Sequence, residues 1–404
     1  MSGLPPTSSV GAAASWVEHL RDGGTTPWAR WLQRHDQTPG RPSAAGLPGA
    51  AQLELLRRLN RLGPLPHRVD HVLGRPGPGR GPVHLRLPVD AGRPPAPRRE
   101  VLRVATGVLA DLTAELSPSR PGRRRRTRRP RPPAGVPRFV LEGLPLTVAE
   151  VRAALAAAGM PEHRTPGTRL GARRDPGPEV VVVLAGPLDE ALRQAWAARL
   201  QRGAARAWPR FVSEWAGRGR LPASAALDLN VEYWADRVGS GNVHLVTLTA
   251  DDDPLERVRD VLGQPPGTSP PGQLAAGDPV RLAPAALDVL RRVNVVLPFV
   301  CPPDDRQPRR TALVELLRTD EGRPEPADPP HGQRPWLEAA AGRLVDALEE
   351  SGCPVHGDLD ALRTLTPAAG RRVGGAEVLD AMVRMIHRVD AELTGAARDG
   401  RGGR

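Results

Sequence analysis

Lysine is absent from this chain: all 57 basic residues are arginine. That excludes a phosphate-loop lysine, a Schiff-base lysine and a lysine general base. Arginine in place of lysine, beside abundant alanine, glycine and proline, is also what GC-rich coding produces. An arginine cluster therefore needs more than its charge to carry a functional meaning. Cysteine is nearly absent too. Cys301 and Cys353 are the only two; they make no disulfide framework and fit a reducing compartment. No apolar run approaches the roughly 20 residues that span a bilayer. Met1 to Ser15 carry no positive charge, so no secretory leader is expected. The expectation is a cytoplasmic protein with no membrane partner.

What is present starts with loops and charge. The 404 residues leave room for two or three domains, and 43 glycines and 47 prolines point to folded segments separated by long loops. The net charge of +12 is concentrated. Arg120, Arg123, Arg124, Arg125, Arg126, Arg128, Arg129 and Arg131 lie in one acid-free run, and removing these eight leaves +4. Arginine and proline together repel and stiffen, so 119–135 reads as an extended linker. The functional alternative is a polyanion or nucleic-acid contact through these eight arginines.

Periodicity divides the rest. Residues 1–118 read as a helical domain and 136–320 as an α/β core. A proline-rich loop follows at 321–334, then a C-terminal helical segment at 335–404. Strands are expected at Arg138–Glu142, Glu179–Leu184 and Asn242–Leu248, with helices at 147–158 and 188–200 between them. The second strand is a continuous apolar run, as in a buried parallel sheet. The blocks also match one another. Trp16, Leu20, Gly23, Trp28 and Arg30 correspond to Trp196, Leu200, Gly203, Trp208 and Arg210 at one offset of 180. Leu53–Asn60 corresponds to Leu287–Asn294 at 234. A third set, from Leu102 to Asp111, corresponds to Leu337–Asp346 at 235. Residues 15–116 thus read as a shortened copy of 190–350. The expected fold class is α/β and predominantly helical: a small parallel sheet flanked by helices, plus an N-terminal helical partial repeat.

The segment RFVLEGLPLTVAEVRAALAAAG, Arg138 to Gly159, resembles the opening of bacterial sulfotransferases of the actinobacterial type. In that family a strand enters a G-x-P-K-[ST]-G-T-T loop and then a helix, and the loop holds the 5′-phosphosulfate of phosphoadenosine phosphosulfate. Free N–H groups and the positive helix end attract the anion. Here Gly143, Leu144 and Pro145 match, and Thr147 keeps a hydroxyl. Leu146 stands at the lysine position, Val148 at the glycine, and Ala149 and Glu150 at the threonines. Gly143, Pro145, Thr147 and Glu150 are accordingly a degenerate phosphate-loop remnant. Thr147-Val-Ala-Glu150 has the spacing of a capping box, which would use the helix-end donors internally. The resemblance continues through 179–199, where the family binds a 3′-phosphate with an R-D…S pattern and this chain has Gly186 and Pro187, with Gln194 or Ala195 near the serine. It implies ancestry without the cofactor, and neither catalytic nor metal-binding residues are assigned.

Other constellations have plainer readings. His67, Asp70 and His71 share a helix face but lack a fourth ligand, and His356, Asp358 and Asp360 read as a loop. Asp253 reads as the cap of a helix that Pro254 begins. The expected function is a sulfotransferase-like protein without transferase activity, acting as an accessory or scaffold, with an active sulfotransferase relative as its partner. The alternatives are a polyanion or nucleic-acid binder using the Arg120–Arg131 run, and an active sulfotransferase with an altered cofactor site.

Overall fold

The computed structural model describes residues 8–28, 30–31, 50–63, 65, 69–74, 97–116, 137–163, 178–265, 274, 277–318, 331–365 and 373–399. In chain order, helices α1 (Ser8–Arg21), α2 (Ala50–Asn60), α3 (Val69–Gly74) and α4 (Arg98–Glu115) lead to strand β1 (Phe139–Gly143). Then come α5 (Pro145–Ala157), β2 (Val180–Ala185), α6 (Leu188–Gln201), α7 (Trp208–Gly217), α8 (Leu227–Val238) and β3 (Val243–Thr247). The chain continues through α9 (Pro254–Val261), α10 (Pro284–Val300), α11 (Pro303–Arg318), α12 (Arg334–Glu350), β4 (Val355–His356) and α13 (Gly375–Asp399). The fold is α/β, mostly helical, with a small parallel sheet flanked by helices. Two compact units emerge, each assembled from separated stretches: residues 1–118, 288–320 and 373–404 form one, and 119–287 with 321–372 form the other.

The first unit is helical. Helix α13 packs against α4, with Met382 Sδ 3.8 Å from Thr106 Oγ1, and Ala105, Leu109, Met382, Met385 and Ile386 are all buried. Polar side chains close the helix ends. Asn60 Nδ2 donates to the carbonyls of Leu20 and Gly24, both at 2.8 Å. Arg309 donates to the Leu116 carbonyl at 2.9 Å and to the Ala114 carbonyl, satisfying acceptors that the end of α4 leaves open.

The second unit holds the sheet, ordered β1-β2-β3-β4 with every pair parallel. Strand β2 carries only apolar side chains, and Val181 to Ala185 are all fully buried. That explains its unbroken apolar run, since both faces of an internal parallel strand are covered. The edge at β1 is capped by the chain that returns after α5. The His163 N–H donates to the Phe139 carbonyl at 2.9 Å, and the Leu141 N–H donates to Glu162 Oε1 at 2.7 Å. An edge strand is thereby denied to a foreign strand. At the other edge β4 is two residues long. Helix α9 starts as read from the sequence: Asp253 Oδ1 accepts from the Leu255 N–H at 2.9 Å, with Pro254 in the first turn.

Candidate functional site

All four remnant residues meet at the junction of β1 and α5. The strand ends at Gly143 and the helix begins at Pro145, so a single residue, Leu144, separates them. Gly143 is required there. Its φ is +104°, and a Cβ would lie 2.0 Å from the Leu184 carbonyl oxygen. The capping box expected between Thr147 and Glu150 is not made. Proline is favoured at the first helical position, where its missing N–H costs nothing. The helix therefore starts two residues earlier, with Leu144 as N-cap, and Thr147 falls inside the first turn.

Each backbone donor of this turn can be followed to its partner. The Leu144 N–H donates to the Leu184 carbonyl at 3.1 Å, and Pro145 has none to give. Leu146 and Thr147 both donate to Gln194 Oε1, at 3.0 and 3.2 Å. The Val148 N–H closes onto the Leu144 carbonyl at 2.8 Å. A helix N-terminus holds an anion only through free N–H groups, and here a glutamine from α6 already holds them. The side chains around it are closed as well. Gln194 Nε2 donates to Thr147 Oγ1 at 3.1 Å and to Glu190 Oε1 at 2.9 Å. Arg281 donates to Thr147 Oγ1 at 2.9 Å and pairs with Glu150 at 3.0 Å and Glu190 at 3.5 Å. Arg193 bridges Asp189 and Glu190 at 3.0 and 2.9 Å. Three carboxylates thus surround two guanidiniums, so an incoming phosphate meets net negative charge. At Gly186 no side chain is present to meet a second phosphate, and a Cβ there would lie 3.2 Å from Leu144 Cδ1. The residues present do not fit phosphoadenosine phosphosulfate.

On the other side of the same turn the structure opens a cleft of about 580 Å³, a volume that suits a small ligand. Glu142 and Arg152, with Glu162 and His163 from the returning chain, line it beside Arg202, Asn230 and Trp234. Arg152 pairs with Glu162, which also accepts the Leu141 N–H at the β1 edge. Burial pushes the Glu142 carboxyl above its ordinary value, and the nearby charge of Glu162 adds to this. Arg152 and the Trp234 indole, which hydrogen-bonds the carboxylate, pull it partly back. Two carboxyls in differing environments can divide proton-donor and charged roles between them. The sequence reading missed this cleft. Its one visible signal is Glu142, a charge in an otherwise apolar strand.

No protein-family model, curated protein or solved structure matches the chain.

The remaining expected positions are scattered. The arginine run and the linker at 119–135 lie outside the described residues, as do the side chains of His67, Asp70 and His71. His244 and His356 pair across β3 and β4, His244 Nδ1 lying 2.9 Å from His356 Nε2, and Asp358 accepts from the Asp360 N–H. Among the described residues no group of three or more His, Cys, Asp or Glu could hold a metal, and no helix is long and apolar enough to cross a membrane.

Proposed function

We propose that this chain is a sulfotransferase-like protein without transferase activity, acting as an accessory or scaffold beside an active sulfotransferase relative. The observation that carries this reading is the fate of the helix-end donors: Gln194 Oε1 holds the N–H groups of Leu146 and Thr147. Each charge-assisted hydrogen bond to a phosphate contributes about 1.5–3 kcal/mol. Losing two of them weakens binding by about two to four decades, before the surplus carboxylate is counted. The cytoplasm suits Cys301 and Cys353, both buried and unpaired.

The test is an assay of sulfuryl transfer from phosphoadenosine phosphosulfate to a phenolic acceptor, with the purified chain alone and then with a sulfotransferase encoded beside it. The chain alone should give no product, and adding it should change the rate or stability of the active enzyme. Turnover by the isolated chain would overturn the proposal.

A further inference from the structure

A second arginine-rich surface lies inside the folded part of the chain. From Arg199 to Arg220 the second unit carries six arginines, Arg199, Arg202, Arg206, Arg210, Arg218 and Arg220, against one acid, Glu214. Arginine-biased coding gives other stretches a like charge, 75–99 among them with six arginines against Asp90, so what distinguishes 199–220 is the arrangement of its side chains and not their number.

Four of the six side chains are organised around Trp215 and Glu214. The guanidiniums of Arg218, Arg199 and Arg220 lie 4.9, 5.2 and 5.9 Å from the centre of the Trp215 ring. Glu214, the neighbour of Trp215 on α7, takes Arg218 at 2.6 Å and also pairs with Arg206. Arg210, Glu214 and Arg218 follow one another at intervals of four and so line one helix face. Four arginines are thus fixed around one ring and one carboxylate. Arg202, Arg210 and Arg220 are exposed and form no ion pair among the described residues. Like charges held this close gain from a polyanion, and fixing them beforehand removes part of the entropy cost of binding.

We propose that this face, from the end of α6 through α7 to Arg220, binds the phosphate backbone of nucleic acid without reading its sequence. Planar guanidinium forks match pairs of phosphate oxygens. Trp215 is only 8% exposed and lies beneath its arginines, so the face offers charge and no ring for a base to stack on. A lipid surface fits less well. Exposed positions between the arginines are Pro209, Ser213, Gly217 and Gly219, and no exposed large apolar side chain lies in the segment.

The test uses the full chain with all eight arginines of the 120–131 run replaced by serine, titrated against a labelled 20-base-pair duplex. Binding should persist. Its affinity should fall with salt on a log–log slope of about −4, as expected for four to five neutralised phosphates, and should be equal for duplexes of unrelated sequence. Adding Arg210→Gln and Arg220→Gln should weaken it at least about threefold and make the slope shallower by about 1.8. The single variant Arg210→Glu, on an exposed helix position, should lower affinity with the melting temperature unchanged. The proposal fails if the serine-substituted chain loses the duplex, if neither variant weakens it, or if heparin or anionic vesicles bind while the duplex does not.

Discussion

The two sides of the β1–α5 turn share a backbone and differ in how their polar groups are satisfied. On one side Thr147, Glu150, Glu190, Arg193, Gln194 and Arg281 bond to one another, and the helix-end donors are held by a glutamine. On the other, Glu142 is drawn out of water beside a second carboxylate and opens onto a cleft. Closure comes from residues distant in sequence, Gln194 and Arg281, which bond to Thr147 and Glu150 of the turn itself. The turn that the sequence likens to a phosphate loop is therefore the stabilised side, and the side with polar capacity to spare is the one the sequence does not mark.

The closed side should give the largest effect. Gln194→Ala strands two buried N–H groups and the Thr147 hydroxyl. An unsatisfied buried donor costs about 1–3 kcal/mol, so thermal or denaturant unfolding should show a loss of about 2–3 kcal/mol, while Gln194→Met, which keeps the packing volume and removes the acceptor, should lose nearly as much. A far smaller loss for Met than for Ala would mean that the side chain contributes packing rather than capping. Arg281→Ala comes next. Its pair with Glu150 is half-exposed, so the expected loss is about 0.5–1 kcal/mol, shrinking in high salt.

The smallest effect belongs to the open side and depends on pH. A carboxyl raised in the folded state holds a proton that the unfolded chain has released. Stability therefore falls as pH rises from the ordinary glutamate value through the raised one, and the full cost is present at neutral pH. Glu142→Gln removes that cost, so the variant should be more stable than the parent at pH 7 and should match it in acid. The His244–His356 pair acts with the opposite sign. Burial, with His356 adding, lowers His244, so its contribution is lost as pH falls below the ordinary histidine range. The Glu142 comparison is cleanest in a His244→Gln background. A variant that gains nothing at neutral pH would remove the open side's electrostatic strain from the comparison.

Much of the fold was legible because its signals are local. The apolar run of β2 can only be an internal strand, and all three main strands lie within one residue of their expected limits. Two stretches make similar local contacts. Trp16 Nε1 donates to the Thr26 carbonyl at 2.9 Å, and Trp196 Nε1 to the Arg206 carbonyl at 2.8 Å. Trp16 sits 5.2 Å from Trp28, and Trp196 sits 5.6 Å from Trp208. Likewise, Glu54 serves Arg57 and Arg58 as Asp288 serves Arg291 and Arg292. What was not legible is long-range. Nothing within 143–150 shows that an acceptor 47 positions beyond Thr147 caps the helix, so the Thr147–Glu150 spacing misleads. The cleft joins β1, the chain after α5 and α8, and contiguous boundaries do not reveal that 288–320 and 373–404 join 1–118.

The central claim, that the chain's own side chains occupy the phosphate position, is tested most directly by calorimetric titration with phosphoadenosine phosphate. Gln194 holds the helix-end donors, and Glu150, Asp189 and Glu190 outnumber Arg193 and Arg281 beside them. The expected result is no heat of binding up to millimolar nucleotide. A micromolar dissociation constant, about 8 kcal/mol of binding free energy, would contradict it, because no donor in the turn is left to supply that energy.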